Sequence, residues 1–148
     1  MVVLLNFMVY FLNQSPPIQG DRMTVITDTA PPLLKAYYQV LAGGIENYDE
    51  GRELAPLLAD DLEFEGPLAG HVTGQARFRQ GVKGFIANVG KIEIIQEVHG
   101  SEGSAVLYDA HLPKDIVRFA EFFTFADGKI QRLRLQYDPA AYIAGGGG

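Results

Sequence analysis

The stretch Ile116-Val117-Arg118-Phe119-Ala120-Glu121-Phe122-Phe123-Thr124-Phe125-Ala126-Asp127-Gly128-Lys129-Ile130 decides the fold. It is dense in aromatic and β-branched residues, which suit a pleated, half-buried surface, and it breaks at Asp-Gly, a dipeptide favoured in two-residue hairpin turns. A strand over Ile116 to Ala126 therefore turns back into a second over Lys129 to Tyr137. Working outward, Lys91 to His99 and Ser104 to Leu112 share this composition, with Gly100 and Pro113-Lys114-Asp115 as punctuation. Everything after Gly90 reads as strand and turn.

Ahead of the strands the apolar period changes to that of a helix. From Pro31-Pro32 onward, Leu33, Leu34, Tyr37, Tyr38, Leu41 and Ile45 recur at helical spacing until Gly43-Gly44 weakens the run. Asp49 is placed to cap a second short helix through Leu54, Leu57 and Leu58, followed by a strand at Leu62 to Glu65. After a glycine-rich loop carrying His71, Gln75 to Asn88 sets Phe78, Val82, Phe85 and Ile86 on one face of a third helix. Three helices followed by an antiparallel meander predict an α+β domain: a curved antiparallel sheet wrapped around the helices.

A chain of 148 residues with 47% hydrophobic content suffices for one core and one domain. The net charge of −6, with 12 scattered basic residues, argues against nucleic acid as a partner. The absence of cysteine removes thiolate chemistry and disulfides, and the cytoplasm is the default location. No His and carboxylate set has a metal-ligand spacing, no glycine loop matches a phosphate cradle and no serine sits in a nucleophile elbow. Met1 to Leu12 is apolar, but it lacks the charge and cleavage pattern of an export signal and is too short to span a membrane. Residues 1–30 are thus read as an extension, with linker Asn13 to Pro17 and Met23 as an alternative start. The domain occupies 31–144, and Gly145 to Gly148 form a tail expected to be disordered.

Chemistry is sought where the strand pattern puts a polar group on the buried side. In the strand over 116–126, Val117, Phe119, Glu121, Phe123 and Phe125 alternate onto one face, so Glu121 is a carboxyl group among phenylalanines. Desolvation there should raise its pKa, which suits a general acid or a neutral hydrogen-bond donor. A core Glu paired to Arg or Tyr is the structural alternative. Asp109 and His111 lie on one side of the preceding strand, and the turn decides which side. A three-residue loop pairs Leu112 with Ile116 and brings both to the face of Glu121; a two-residue loop makes Asp109 a surface partner of Arg118 and exposes His111. Tyr37 or Tyr38 can aim a hydroxyl into the interior or simply fill the core. His71 and His99 are expected in solvent.

The order of elements, with Leu57-Leu58-Ala59-Asp60-Asp61-Leu62-Glu63-Phe64-Glu65-Gly66-Pro67 and Phe125-Ala126-Asp127-Gly128-Lys129-Ile130, resembles the nuclear-transport-factor-2-like superfamily in its SnoaL-like branch, over about Pro32 to Tyr142. The resemblance implies a cone-shaped α+β barrel with a pocket at its open end, homodimers through the outer sheet face and no required cofactor. Beside the ketosteroid isomerases, Tyr37 and Glu121 fall on the oxyanion-hole tyrosine and aspartic acid, but Gly66 falls on the general base, and glycine takes no proton. Beside the limonene-epoxide-hydrolase type, Asp109 and His111 fall on pocket-facing positions, which favours the three-residue turn, whereas Phe64, Gly66 and Leu135 replace the residues that hold water.

Two functions follow as expectations. In the first, the protein is a cofactor-free acid/base enzyme of the isomerase, cyclase or hydrolase type on a small hydrophobic carbonyl-bearing or cyclic molecule. There His111 is the base, Asp109 orients it, Glu121 and Tyr37 stabilise an enolate oxygen, and Phe64, Phe78, Phe85, Phe119, Phe123 and Leu135 form the walls. In the second, it is a non-catalytic ligand-binding or dimeric module. Convergence of Asp109, His111 and Glu121 in one cavity favours the first; a cavity holding Glu121 alone favours the second.

Overall fold

The computed structural model describes residues 26–148 of the chain. The expectations for Met1 to Leu12, the linker and Met23 lie outside them. Helix α1 (Pro32–Ala42) begins, as its sequence predicts, with proline in the first turn. Strands β1 (Leu58–Gly66) and β2 (Gly70–Thr73) precede helix α2 (Gln75–Asn88). Four strands follow: β3 (Lys91–His99), β4 (Gly103–His111), β5 (Ile116–Ala126) and β6 (Lys129–Gln136). A short helix, α3 (Pro139–Ala144), comes last.

The six strands form one curved, unclosed sheet in the order β2-β1-β6-β5-β4-β3. An α+β fold with a curved sheet was expected; a closed barrel and a wholly antiparallel sheet were not found. Strand β1 runs parallel to β6, pairing Phe64 with Leu133 and Glu65 with Arg134, because the chain between them leaves through α2 and the whole meander. Register shifts interrupt β1 between Leu58 and Glu63, β3 between Ile94 and Gln96, and the β5–β6 pairing at Thr124 and Phe125, where Gln131 of β6 is the extra residue. Extra residues of this kind bend a strand and increase its twist, which curls the sheet around the helices.

Three further expectations are corrected. The second helix is replaced by three short turns, Ile45–Asn47, Asp49–Gly51 and Ala55–Leu57. Asp49, Glu50 and Gly51 all have positive φ, so the chain leaves the right-handed helical region where the cap was expected. The loop carrying His71 is strand β2, which pairs Glu65 with His71. The tail is ordered against the domain: Asp138 caps α3 through the backbone N–H groups of Ala140 and Ala141 (3.0 and 3.2 Å), and Gly147 then donates to the Tyr142 carbonyl at 2.9 Å. Lys114 in the β4–β5 turn donates to the Gly145 carbonyl at 2.9 Å.

The core lies between the concave face of the sheet and the two longer helices. Leu34, Tyr37, Tyr38 and Leu41 from α1, and Phe78 and Ile86 from α2, are buried against Val106, Tyr108, Ala110, Val117, Phe119, Phe123 and Leu133. Interlocked rings dominate it: Phe119 stacks on Tyr108 at 5.3 Å and on Tyr137 at 4.5 Å between centroids. At the far end of the concave face the His99 ring is held between Glu97 (2.6 Å) and Ser104 (2.8 Å), and Glu97 accepts from the Thr27 hydroxyl at 2.8 Å. The expected exposure of His99 is thereby corrected. Its cluster fastens the segment that leads into α1.

Candidate functional site

One ionised-capable group stands out in this core. Strand β5 alternates Val117, Phe119, Glu121 and Phe123 onto its concave side, and all four are buried, Glu121 with 2% of its surface exposed. Alternation alone forces the carboxyl inward, because an outward Glu121 would turn three apolar neighbours into water. Helix α1 supplies its partners. Tyr37 donates its hydroxyl to Oε2 at 3.1 Å, and Tyr38 donates to Oε1 at 2.8 Å. Tyr108, on β4 beside the Val106↔Glu121 pair, offers a third phenol.

Two opposing effects set the proton affinity of Glu121. Burial disfavours the carboxylate and dominates, while hydrogen bonds from Tyr38, Tyr37 and Tyr108 favour it; the balance pushes the carboxyl up from 4.5 to about 7. Burial, reinforced by the neighbouring Glu121 charge, holds Tyr37, Tyr38 and Tyr108 well above the ordinary phenol range. The phenols therefore remain neutral donors near pH 7. Only the carboxyl changes charge there.

Glu121, Tyr37 and Tyr108 border a cavity of about 290 Å³. Phe64, Phe78, Phe85, Phe119 and Leu135 form much of its wall. Phe123 does not: its ring lies behind Tyr37, 5.2 Å away edge to face, and it supports the tyrosine instead of the cavity. Leu68, Val72, Arg77, Tyr137, Tyr142 and the glycine pair Gly147-Gly148 also border it. The sequence pattern missed these. Tyr108 was hidden by the undecided β4–β5 register, and the tail residues by the assumption that a glycine run stays loose.

Asp109 and His111 occupy the opposite face. Leu112 donates to the Asp115 carbonyl at 2.8 Å, so the hairpin closes on two residues, Pro113 and Lys114, and His111 pairs with Ile116. The three-residue turn expected from the resemblance is thus corrected, and with it the shared interior position of these two side chains. Arg118 grips Asp109 through two hydrogen bonds of 2.8 and 3.1 Å and holds its carboxyl below the usual range. His111 sits 3.0 Å from Glu93 on the convex surface. Neither borders the cavity. At Gly66 an added Cβ would lie 3.1 Å from the Phe64 ring and 4.0 Å from Leu135, so apolar side chains crowd the position where the ketosteroid isomerases have their base.

A curved, unclosed six-stranded sheet folded over helices is the architecture of the nuclear-transport-factor-2-like class of α+β proteins. The SnoaL-like domain profile matches residues 34–133, and the chain belongs to that family. Solved structures agree on the fold. A protein from Kribbella flavida shares 20% identity over 80% of this chain and 94% of its own, with a TM-score of 0.65. A steroid delta-isomerase from Pseudomonas aeruginosa shares 15% over 80% and 89% (TM-score 0.61), and TerC, co-crystallised with polyporic acid, 16% over 77% and 97% (TM-score 0.60). No curated protein matches the chain. Among the described residues no helix is long and apolar enough to cross a membrane, and no group of three His, Cys, Asp or Glu is placed to hold a metal.

Proposed function

We propose that the cavity binds a small, cyclic, largely apolar molecule bearing a carbonyl or hydroxyl oxygen, and that Glu121 moves a proton on it in a cofactor-free isomerase- or cyclase-type reaction. The observation that carries this reading is a buried carboxyl at the floor of an apolar cavity, raised to about 7. Such a group is present both as base and as acid at neutral pH. In the step we assign to it, carboxylate Glu121 takes a proton from the carbon next to a carbonyl, the electron pair moves onto the oxygen, and the neutral carboxyl returns the proton to another carbon. Tyr37 or Tyr108, freed from a carboxyl that no longer needs its hydrogen bond, donates to the enolate oxygen. The expected role of His111 as base passes to Glu121 because His111 stands across the sheet. The steroid delta-isomerase among the structural neighbours supports the same class.

A second reading, a carrier that binds without turnover, is the one favoured by the criterion drawn from the sequence, since Glu121 borders the cavity without Asp109 and His111, and Gly66 offers no base. Binding of steroid, polyketide and terpenoid ketones followed by solvent deuterium exchange at the carbon next to the carbonyl separates the two. The enzyme shows exchange that Glu121→Gln abolishes without loss of binding, while His111→Ala and Asp109→Ala keep it. Binding without exchange identifies the carrier, and a panel that does not bind at all sinks both.

The reading includes pairing of two copies through the convex face, supported by the exposure of Ile95, Val98 and Phe122 there (42, 60 and 48%). It also places the protein in the cytoplasm with no nucleic-acid partner, in keeping with its acidic charge.

A further inference from the structure

Six arginines fall among the described residues, and five have an assigned place. Arg118, Arg132 and Arg134 pair with Asp109, Glu63 and Glu65 across the convex face. Arg52 lies 3.5 Å from Asp49, and Arg79 donates to the Glu50 carbonyl at 2.9 Å. Arg77 has no hydrogen bond or ion pair among the described residues, and it is the one that borders the cavity. No acidic residue lies in the first turn of α2, where it stands, to neutralise it.

Beside its apolar walls and the Tyr137 and Tyr142 rings, the cavity thus presents two features of unlike charge: the Glu121–tyrosine cluster and the free guanidinium of Arg77 at the solvent side. A ligand anion is repelled by carboxylate Glu121 and attracted by Arg77, so the two features sort a ligand's polar groups by charge. In a protein of net charge −6 such a local cation offsets the repulsion that an anionic ligand otherwise meets. A guanidinium matches a planar carboxylate with two parallel hydrogen bonds, which a neutral oxygen cannot return.

We propose that the ligand is a cyclic or aromatic carboxylic acid, its carboxylate held by Arg77 at the mouth and its ring directing a hydroxyl or carbonyl oxygen toward Glu121 and Tyr37. This rests on the assignment of the cavity as a ligand site and narrows its substrate class. Orientation follows from it: the reacting oxygen enters first and the carboxylate stays at the solvent boundary. Because Arg77 is exposed, the contribution is moderate, on the order of tenfold in affinity at low salt, and weaker as salt screens it.

The test compares 6-hydroxy-2-naphthoate with 2-naphthol, two fluorescent probes that share the ring and hydroxyl and differ in the carboxylate. The wild-type protein is expected to bind the acid about tenfold more tightly than the naphthol, with a preference that shrinks as salt is added. Arg77→Gln should bring the acid close to the affinity of the naphthol, with an unchanged melting temperature certifying the fold; Arg77→Lys should restore part of the difference. Equal binding of both probes by the wild type, or a preference that survives Arg77→Gln, overturns the carboxylate assignment while leaving the cavity as a ligand site. If neither probe binds and the ketone panel is also empty, the ligand site itself fails and this assignment with it.

Discussion

Replacing Glu121 by the isosteric glutamine should change how stability depends on pH, by an amount that follows from the burial of the carboxyl. Raising a carboxyl from 4.5 to about 7 on folding means that the native state binds this proton more tightly than the unfolded chain does. Its contribution is therefore fully present below pH 4.5 and is lost as pH rises through 7. At about 1.4 kcal/mol per tenfold change in proton affinity, the loss amounts to about 3 kcal/mol. For a domain of this size that corresponds to roughly 10 °C in Tm. Asp109 has the opposite sign, since Arg118 lowers its carboxyl, but its stabilisation is lost only in acid below its ordinary range and both proteins share it. Thermal unfolding from pH 4.5 to 8.5 should give nearly equal Tm values at the acid end and a mutant roughly 10 °C more stable at the alkaline end. Parallel curves over the whole range would refute the claim that Glu121 is desolvated in the folded protein.

Other expectations are more local. Gly147→Ala drives a methyl group into the Tyr142 ring and should cost about 1–3 kcal/mol or lift the tail from the cavity, whereas Gly148→Ala, whose Cβ meets only Ile143 at 3.5 Å, should be near neutral; equal melting temperatures for the two count against the docked tail. Phe122→Glu places a charge in the middle of the exposed convex patch and should leave a monomer in light scattering where the wild type is a dimer; identical masses reject the convex-face dimer. Tyr38→Phe deletes the 2.8 Å hydrogen bond that favours the carboxylate, so the Glu121 carboxyl should move further up and the pH profile of deuterium exchange should shift to more alkaline values; an unmoved profile shows that Tyr38 only fills space.

What the chain reveals before folding depends on how many alternatives each local pattern leaves open. Strand β5 leaves one: a row of Val117, Phe119, Glu121 and Phe123 cannot face water, so the buried carboxyl was legible from alternation. Asp127 and Gly128 both adopt positive φ, as the two central residues of a mirror-image hairpin turn must. The β4–β5 turn leaves two, because Pro113-Lys114-Asp115 suits either loop length and a shift of one residue reverses every side chain of β4. That single ambiguity moved Asp109 and His111 to the wrong face and concealed Tyr108. The parallel β1–β6 contact was illegible for another reason: it joins segments some seventy residues apart, and no local composition encodes such a pairing.

Glu121 also costs the protein stability at neutral pH that a neutral isostere would not. Its own strand and three phenols on two other elements enclose it, so the site is built from α1, β4 and β5 together and is not an accident of one strand. A carboxyl needed only to tie α1 to the sheet could give way to an amide, which still accepts a tyrosine hydroxyl through its oxygen and costs less to bury than a carboxylate. What an amide cannot do is exchange a proton. A charge that is half present near pH 7, faces a hollow, and is surrounded by groups that cannot themselves ionise there is a source and sink for a single proton. The energetic penalty and the proposed chemistry then have the same physical origin, which is why the stability profile and the exchange reaction should respond together to substitution at this one position.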